Sequence, residues 1–437
     1  MTTLLYWFRQ DLRLGDNAAL LAACNAADHL VPVYCHDPAQ AASTAWGFER
    51  MGEHRHAWLA ATLADLRAQL RARGSELIEV IGAPAQVLPA LLQRVGATAL
   101  HCEAIAAPYE RAEIAALVAV GVKVVTRWQS SLLEPSELPF AVERTPDVFT
   151  GFRNAVEKAS VLPPTPLPAP AQVPPLPPAT AVSPELFEPQ ALPLHGNAGA
   201  SPDPRSSFPY DQAQFAGGET AAVAHLQQYF DKGLAQTYKL TRNGLAGTEY
   251  SSKFSPWLAS GALSPRVAYA ALKACEGRLG ANDSTYWLWF ELLWREHFRF
   301  LHLKYGKKMY RGRGLQDAPP PTHNAGGFLR WREGRTGQPF IDAGMHELAA
   351  TGYLSNRLRQ NVASYLIHDL RGDWRAGAAW FESRLLDYDV YSNQGNWLYV
   401  AGRGTDPRGT RRFDPVKQSR DYDPQGQYRE LWRDARR

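Results

Sequence analysis

Residues 161–178 read VLPPTPLPAPAQVPPLPP. Proline locks φ and has no N–H to donate, so this run is neither a helix nor a central strand and favours extended polyproline II. It splits the chain into two globular halves and predicts a connector over 131–217. A docking motif for a proline-reading partner is the sharper alternative. Between two folded halves a connector is the expected use.

The half before it, 1–130, alternates two hydrophobic periods. β-rich runs at 3–8 (TLLYWF), 29–35, 76–81, 98–103 and 122–126 are separated by helical stretches, clearest at 53–73 and 84–95. This alternation predicts an α/β domain, a Rossmann-like parallel sheet with helices on both faces. No G-x-G-x-x-G follows the first strand; WFRQDLRLGDNAAL leads into a helix instead, which argues against a dinucleotide site there. The half after the prolines, 218–437, is helical. GETAAVAHLQQYFDKG starts it with Thr220 as candidate N-cap, and further helices are predicted over 265–275, 284–303, 341–350, 355–370 and 375–386. The expected fold class is α/β plus all-α.

Composition narrows function mainly by exclusion. A hydrophobic share of 45% supports globular domains rather than disorder. A net charge of only +4 is weak evidence for a polyanion partner, so a nucleic-acid face has to come from clustering. Cys24, Cys35, Cys102 and Cys275 form no C-x-x-C pair, which fits a reducing compartment. The N-terminus is charged too early for a signal peptide, and no run approaches a membrane span. A soluble, cytoplasmic, monomeric protein with no membrane partner is expected. Asp387-x-Asp389 is not an EF-hand: the twelfth position from Asp387 is Leu398, where a bidentate Glu is needed. H-E-x-x-H and G-x-S-x-G are absent, and no metal site is expected.

What remains is a crowd of polar groups on aromatic-rich helices. Asn356, Arg359 and Gln360 recur at helical spacing, and Glu291, Trp294, Arg295 and Phe298 occupy adjacent faces of another helix. LLDYDVYSNQGNWLYVAG (385–402) sets Asp387, Asp389 and Asn393 among rings. Buried charges must be paired, and Arg359 with Asp387 or Asp389 is the natural pair. Each pair alone would pass as an internal salt bridge. Together they outline a polar pocket with aromatic walls, suited to a planar heteroaromatic ligand.

The blocks WFRQDLRLGDNAAL (7–20), KFSPWLASGALSPR (253–266), FELLWREHFRF (290–300), TGQPFIDAGMHELAATGYLSNRLRQNVAS (336–364) and DWRAGAAWFESRLLDYDVYSNQGNWLYVAG (373–402) resemble photolyases and cryptochromes. The likeness runs nearly end to end and is weakest over 160–215. VFTGFRNAVEK (148–158) and GNWLYVAGRGTDPR (395–408) resemble the cryptochrome-DASH branch. The resemblance implies a C-terminal helical domain holding FAD in a folded form. It also implies an antenna chromophore between domains, often 5,10-methenyltetrahydrofolate. The implied reaction is light-driven electron donation from reduced FAD to a cyclobutane pyrimidine dimer, the work of a deoxyribodipyrimidine photolyase, a carbon–carbon lyase. The implied partner is DNA, chiefly single-stranded. A blue-light photoreceptor with the same cofactor and little repair is the alternative.

Carried over residue by residue, Tyr238, Ser251, Ser252 and Ser255, with the intervening Lys253 and Phe254, fall in the FAD phosphate and ribityl region. Asn356 matches the asparagine facing flavin N5. Arg359, Asp387, Asp389 and Asn393 match ring and ribityl contacts. Arg242, Glu291, Trp294, Arg295, Tyr399 and Gln418 match lesion or DNA contacts; Glu291 and Asn356 are the two nearest the chemistry. Trp397 and Trp374 match the inner two of three tryptophans that relay electrons to FAD. The outer one is missing, because the segment upstream of Trp331 reads APPPTHNAGG. Glu103 and Glu110 compete for the antenna glutamate, and GFERMGEHRHAW (47–58) departs from relatives. The chain stops shortly after YDPQGQYRELW, without a long signalling tail, so repair is expected over sensing.

Overall fold

TLLYWF becomes β1 (Thr3–Phe8), buried along its whole length, because a central parallel strand carries helices on both faces. In this computed structural model, which describes residues 1–178 and 200–434, β1 lies between β2 (His29–His36) and β4 (Leu100–Glu103). The edges are β3 (Ile78–Ile81) and β5 (Val124–Arg127). The sheet is parallel in the order β3-β2-β1-β4-β5, with Thr3 opposite His29 and Leu5 opposite Leu100. Side chains alternate across a strand, so Leu4, Tyr6 and Phe8 enter one core while Leu5 and Trp7 enter the other. The helices between strands are α1 (Ala18–Ala26), α2 (Glu53–Arg71), α3 (Pro84–Val95) and α4 (Pro108–Ala119).

The polar residues after β1 are structural. Asn17 caps α1 by accepting from Leu20 N. Asp11 accepts from the Tyr6 hydroxyl and from Gln129 Nε2. The buried Arg13 reaches the helical half and donates to the Gly261 carbonyl at 2.8 Å. Gly261 has φ +73°, and a Cβ there would stand 1.9 Å from the Gln10 carbonyl oxygen. Only glycine lets the two halves approach this closely.

The connector region carries structure of its own. α5 (Phe149–Lys158) docks on the helical half, with Phe149 stacked on Trp294 at 3.8 Å. Residues 161–178 form no helix or strand, as their prolines dictate, but they are pinned to the α/β half. Val173 is buried in its core and donates its N–H to the Arg73 carbonyl, and Leu30 N donates to Pro175. The part of the connector at 179–199 lies outside the described residues.

The second half contains α6 (Glu219–Asp231), α7 (Tyr238–Thr241), α8 (Ser255–Ser260), α9 (Pro265–Leu279), α10 (Asp283–Tyr305) and α11 (Ala325–Arg332). It continues with α12 (Pro339–Thr351), α13 (Asn356–Ser364), α14 (Trp374–Arg384), α15 (Val390–Val400), α16 (Pro415–Tyr422) and α17 (Gln427–Leu431). The N-cap of α6 is Gly218 at φ 107°, not Thr220, whose N–H instead reaches Asp65 at 3.2 Å. The predicted helix over 355–370 is α13 followed by a π-turn at Tyr365–Asp369. Among the described residues no helix is long and apolar enough to cross a membrane, and no cluster of ligating side chains could hold a metal ion.

Candidate cofactor and nucleic-acid site

α10, α13 and α15 converge beside the loop that precedes α8. They enclose a cavity of about 480 Å³, within the roughly 300–1,000 Å³ usual for small-molecule and cofactor sites. A smaller cavity of about 90 Å³ shares its wall along α13 and α15 and reaches Trp397. Tyr238, Ser251, Ser252, Lys253, Phe254 and Ser255 line one side of the larger cavity. Asn356, Arg359, Asp387 and Asp389 line both, and Asn393 only the smaller. Helical spacing explains the gathering: Asn356, Arg359 and Gln360 share a face of α13, as do Ser392, Asn396 and Tyr399 on α15.

Arg359 donates from Nη2 to Asp387 at 2.8 Å and from Nε to the Leu354 carbonyl at 2.8 Å. Burial works against its charge, but Asp387 more than offsets this and raises the guanidinium pKa. Asp387 Oδ1 is buried with no hydrogen-bond partner. A buried acceptor left alone is costly, so this oxygen fits a ligand N–H or O–H. Asp389 does two jobs. It caps α15, accepting from Ser392 N at 2.7 Å, and it lines the cavity. Burial alone would raise its pKa; the guanidiniums of Arg295 and Arg299, with Ser392, hold it below the usual range. Lys253 sits at φ +59° with Nζ 3.2 Å from the Tyr250 ring centroid and no hydrogen-bond partner, and burial lowers its pKa far below the usual value. Its charge would need an anion nearby. These orphaned polar atoms and the amide-rich wall fit FAD.

Toward the other wall, Trp294 meets Tyr399 edge-on at 6.1 Å. Glu291 is ion-paired with Arg242; burial raises the Glu291 carboxyl and Arg242 opposes it. Two residues expected to touch DNA have partners within the fold. Arg295 lines the cavity, but its guanidinium donates to the carbonyls of Ser130 at 2.8 Å and Leu258 at 3.3 Å, bracing the two halves. Gln418, on α16, accepts from Asn361 at 3.3 Å and lines neither cavity. Sequence reasoning missed Arg357, Ser392 and Asn396. Arg357 donates to Asn243 at 2.9 Å, and all three line the larger cavity. The i+3 and i+4 spacing was the available signal.

Trp397 packs edge-on against Phe381 at 5.1 Å and Trp331 at 6.4 Å. Trp374 is buried and donates its indole N–H to the Gly312 carbonyl at 3.0 Å, without ring contact to Trp397 among the described residues. A third cavity, about 160 Å³, lies between the halves beside Arg9, Asp37, Arg50, Glu113 and Tyr388. Glu110 lines it with Oε2 unpartnered, and burial raises its carboxyl. Glu103 does not reach it: its side chain is buried at the end of β4, 3.8 Å from Arg299, and burial pushes its carboxyl up to about 8.

The family described as DNA photolyase matches residues 4–171, and the FAD binding domain of DNA photolyase matches 287–435. A cryptochrome DASH of Gloeobacter violaceus is 46% identical over 439 residues, covering 98% of this chain and 85% of that protein. The crystal structure of a Synechocystis cryptochrome aligns with a TM-score of 0.90 at 42% identity, covering 99% of this chain and 88% of that one. An archaeal photolyase from Sulfolobus tokodaii, solved with two FAD molecules, aligns with a TM-score of 0.75 at 25% identity, covering 99% and 90%.

Proposed function

The chain belongs to the photolyase and cryptochrome family, in the cryptochrome DASH branch, and on that premise we propose that it is a deoxyribodipyrimidine photolyase acting on cyclobutane dimers in single-stranded DNA. FAD is the cofactor of the C-terminal domain and, when bound, would supply light-driven electron donation. The observation that carries the reading is continuity: one cavity runs from Asp387 and Arg359 to Trp294 and Tyr399.

Each residue then has a task. Asp387 accepts from the cofactor through its free oxygen while Arg359 holds the carboxylate in place. The Asn356 side chain makes no hydrogen bond among the described residues and borders both cavities, so its amide can serve the cofactor as donor or acceptor. Trp294 and Tyr399 stack on the extruded bases, worth ~1–3 kcal/mol per base. Arg242 leaves Glu291 for a backbone phosphate, and the freed Glu291 carboxyl hydrogen-bonds a thymine edge. Extruding bases costs least where they are already unpaired, which supports the single-strand preference. The cavity at Glu110 is the proposed antenna site, its free oxygen suiting a pterin N–H.

The test is direct. The purified protein is illuminated with UV-damaged oligothymidine, single- and double-stranded, and thymine absorbance is followed. Recovery on the single strand is the expected result. Flavin bands without recovery favour a photoreceptor, and a chain without flavin bands sinks the reading.

A further inference from the structure

A line of ring contacts joins the cofactor cavity to the surface. Trp397 lines the smaller cavity and touches Trp331 at 6.4 Å; Trp331 stacks on Phe328 at 5.9 Å; Phe328 meets Trp46 at 6.5 Å. A second line reaches the same ring. Asp373 N, next in sequence to Trp374, donates to His323 Nδ1 at 3.3 Å, and His323 packs on Trp46 at 5.0 Å. Trp331, Trp374 and Trp397 are fully buried, whereas Trp46 is half-buried on the loop between β2 and α2. That loop belongs to the half of the chain that does not carry the cofactor cavity. The segment 318–327, APPPTHNAGG, offers no indole of its own.

We propose that Trp46 is the solvent-side electron donor through which the flavin is reduced in light. This rests on the reading that the cavity holds a photoreducible FAD. Trp380 is a rival end point, because Phe48 links Phe328 to it by contacts of 6.2 and 5.0 Å. Indole is the most easily oxidised neutral side chain, but the hole it accepts is positive. The guanidinium carbons of Arg332 and Arg384 lie 4.5 and 4.4 Å from the Trp380 ring centroid. Two cations at that range in a water-poor interior repel a hole strongly. Trp380 Nε1 is also buried without an acceptor, so its proton has no exit. No cation covers Trp46 among the described residues, and its ring reaches water. The hole therefore settles on Trp46.

The balance closes with one outside reductant. One electron leaves Trp46 and one arrives at the oxidised flavin. The Trp46 radical cation releases its indole N–H proton to water. A solvent thiol returns one electron and one proton to the indole, and two thiyl radicals pair as a disulfide.

The test uses the full chain with oxidised FAD under blue light and thiol. Trp46→Phe should slow photoreduction by about tenfold at unchanged flavin content and thermal midpoint. Trp46→Tyr, oxidisable at the same place, should regain part of the rate, and Trp380→Phe should keep all of it. Illumination in air without thiol should deposit oxygenated products on the Trp46 peptide, read by mass spectrometry. Photoreduction of Trp46→Phe at the wild-type rate overturns the proposal and leaves the flavin reading standing. A wild-type chain that binds no flavin overturns both, and one that binds it and is not photoreduced overturns the proposal alone.

Discussion

Arg359 donates to one oxygen of Asp387 at 2.8 Å, and the other oxygen of that carboxylate is buried without a partner. Half of the group is used to hold its neighbour, and half is left for a ligand. Asp387→Ala should therefore abolish flavin retention, read as flavin absorbance per chain. It should also destabilise the apoprotein toward the lower end of the ~3–5 kcal/mol typical of a buried pair broken on one side, because Arg359 keeps some contact with water. Full flavin content in this variant contradicts the assignment.

This pair was legible from spacing and charge alone; its surroundings were not. The expected partner of Arg359 is either aspartate, and helix capping decides between them: Asp389 is taken by the N-terminus of α15. α15 itself was hidden, since VYSNQGNWLYV mixes amides, glycine and rings with weak helix propensity, and packing against α14 overrides that preference. Thr220 looked like a cap by residue type, yet a Cβ at Gly218 would stand 2.3 Å from Asp65, so the chain enters α6 through glycine. Glu103 reads as an antenna residue, but sequence carries no record of which side of a packed element a charge will face. The meeting of Trp46 with His323 joins segments far apart in the chain, and no local period encodes it.

Trp294 and Tyr399 can be separated from cofactor binding. Tyr399→Ala is the cleaner probe, because Trp294 also supports Phe149. It should weaken binding of UV-damaged oligothymidine by ~1–3 kcal/mol, measured by fluorescence anisotropy, with flavin content retained. Equal loss on undamaged oligonucleotide would show a general DNA contact rather than a lesion wall.

Gly377 sets the position of Trp397. A Cβ at residue 377 would fall 2.1 Å from the indole ring, and the ring also packs against Trp331 and Phe381. Gly377→Ala should cost ~1–3 kcal/mol through overpacking, read by urea unfolding. It should also slow photoreduction by displacing Trp397. Unchanged kinetics with lowered stability would mean that the indole yields without leaving the relay.

Glu103 offers a test that needs no ligand. Its carboxyl is raised by burial to about 8, against ~4.3 in an unfolded chain. Between those values the folded state holds a proton that the unfolded state has released. Unfolding then loses a proton, so stability falls as pH rises through this window and the full penalty stands above pH 8. Arg299, 3.8 Å away, opposes the shift without reversing it. Glu103→Gln keeps the shape and is neutral at every pH. Relative to wild type, its stability should show no pH-dependent gain below pH 4 and should climb from pH 5 to 8 at ~1.4 kcal/mol per pH unit while the two states differ by one proton. Urea unfolding at pH 5 and pH 8 measures the difference. A difference between variant and wild type that stays flat from pH 5 to 8 would show that the wild-type carboxylate is already charged in the fold across this window, with Arg299 outweighing the burial that surrounds it.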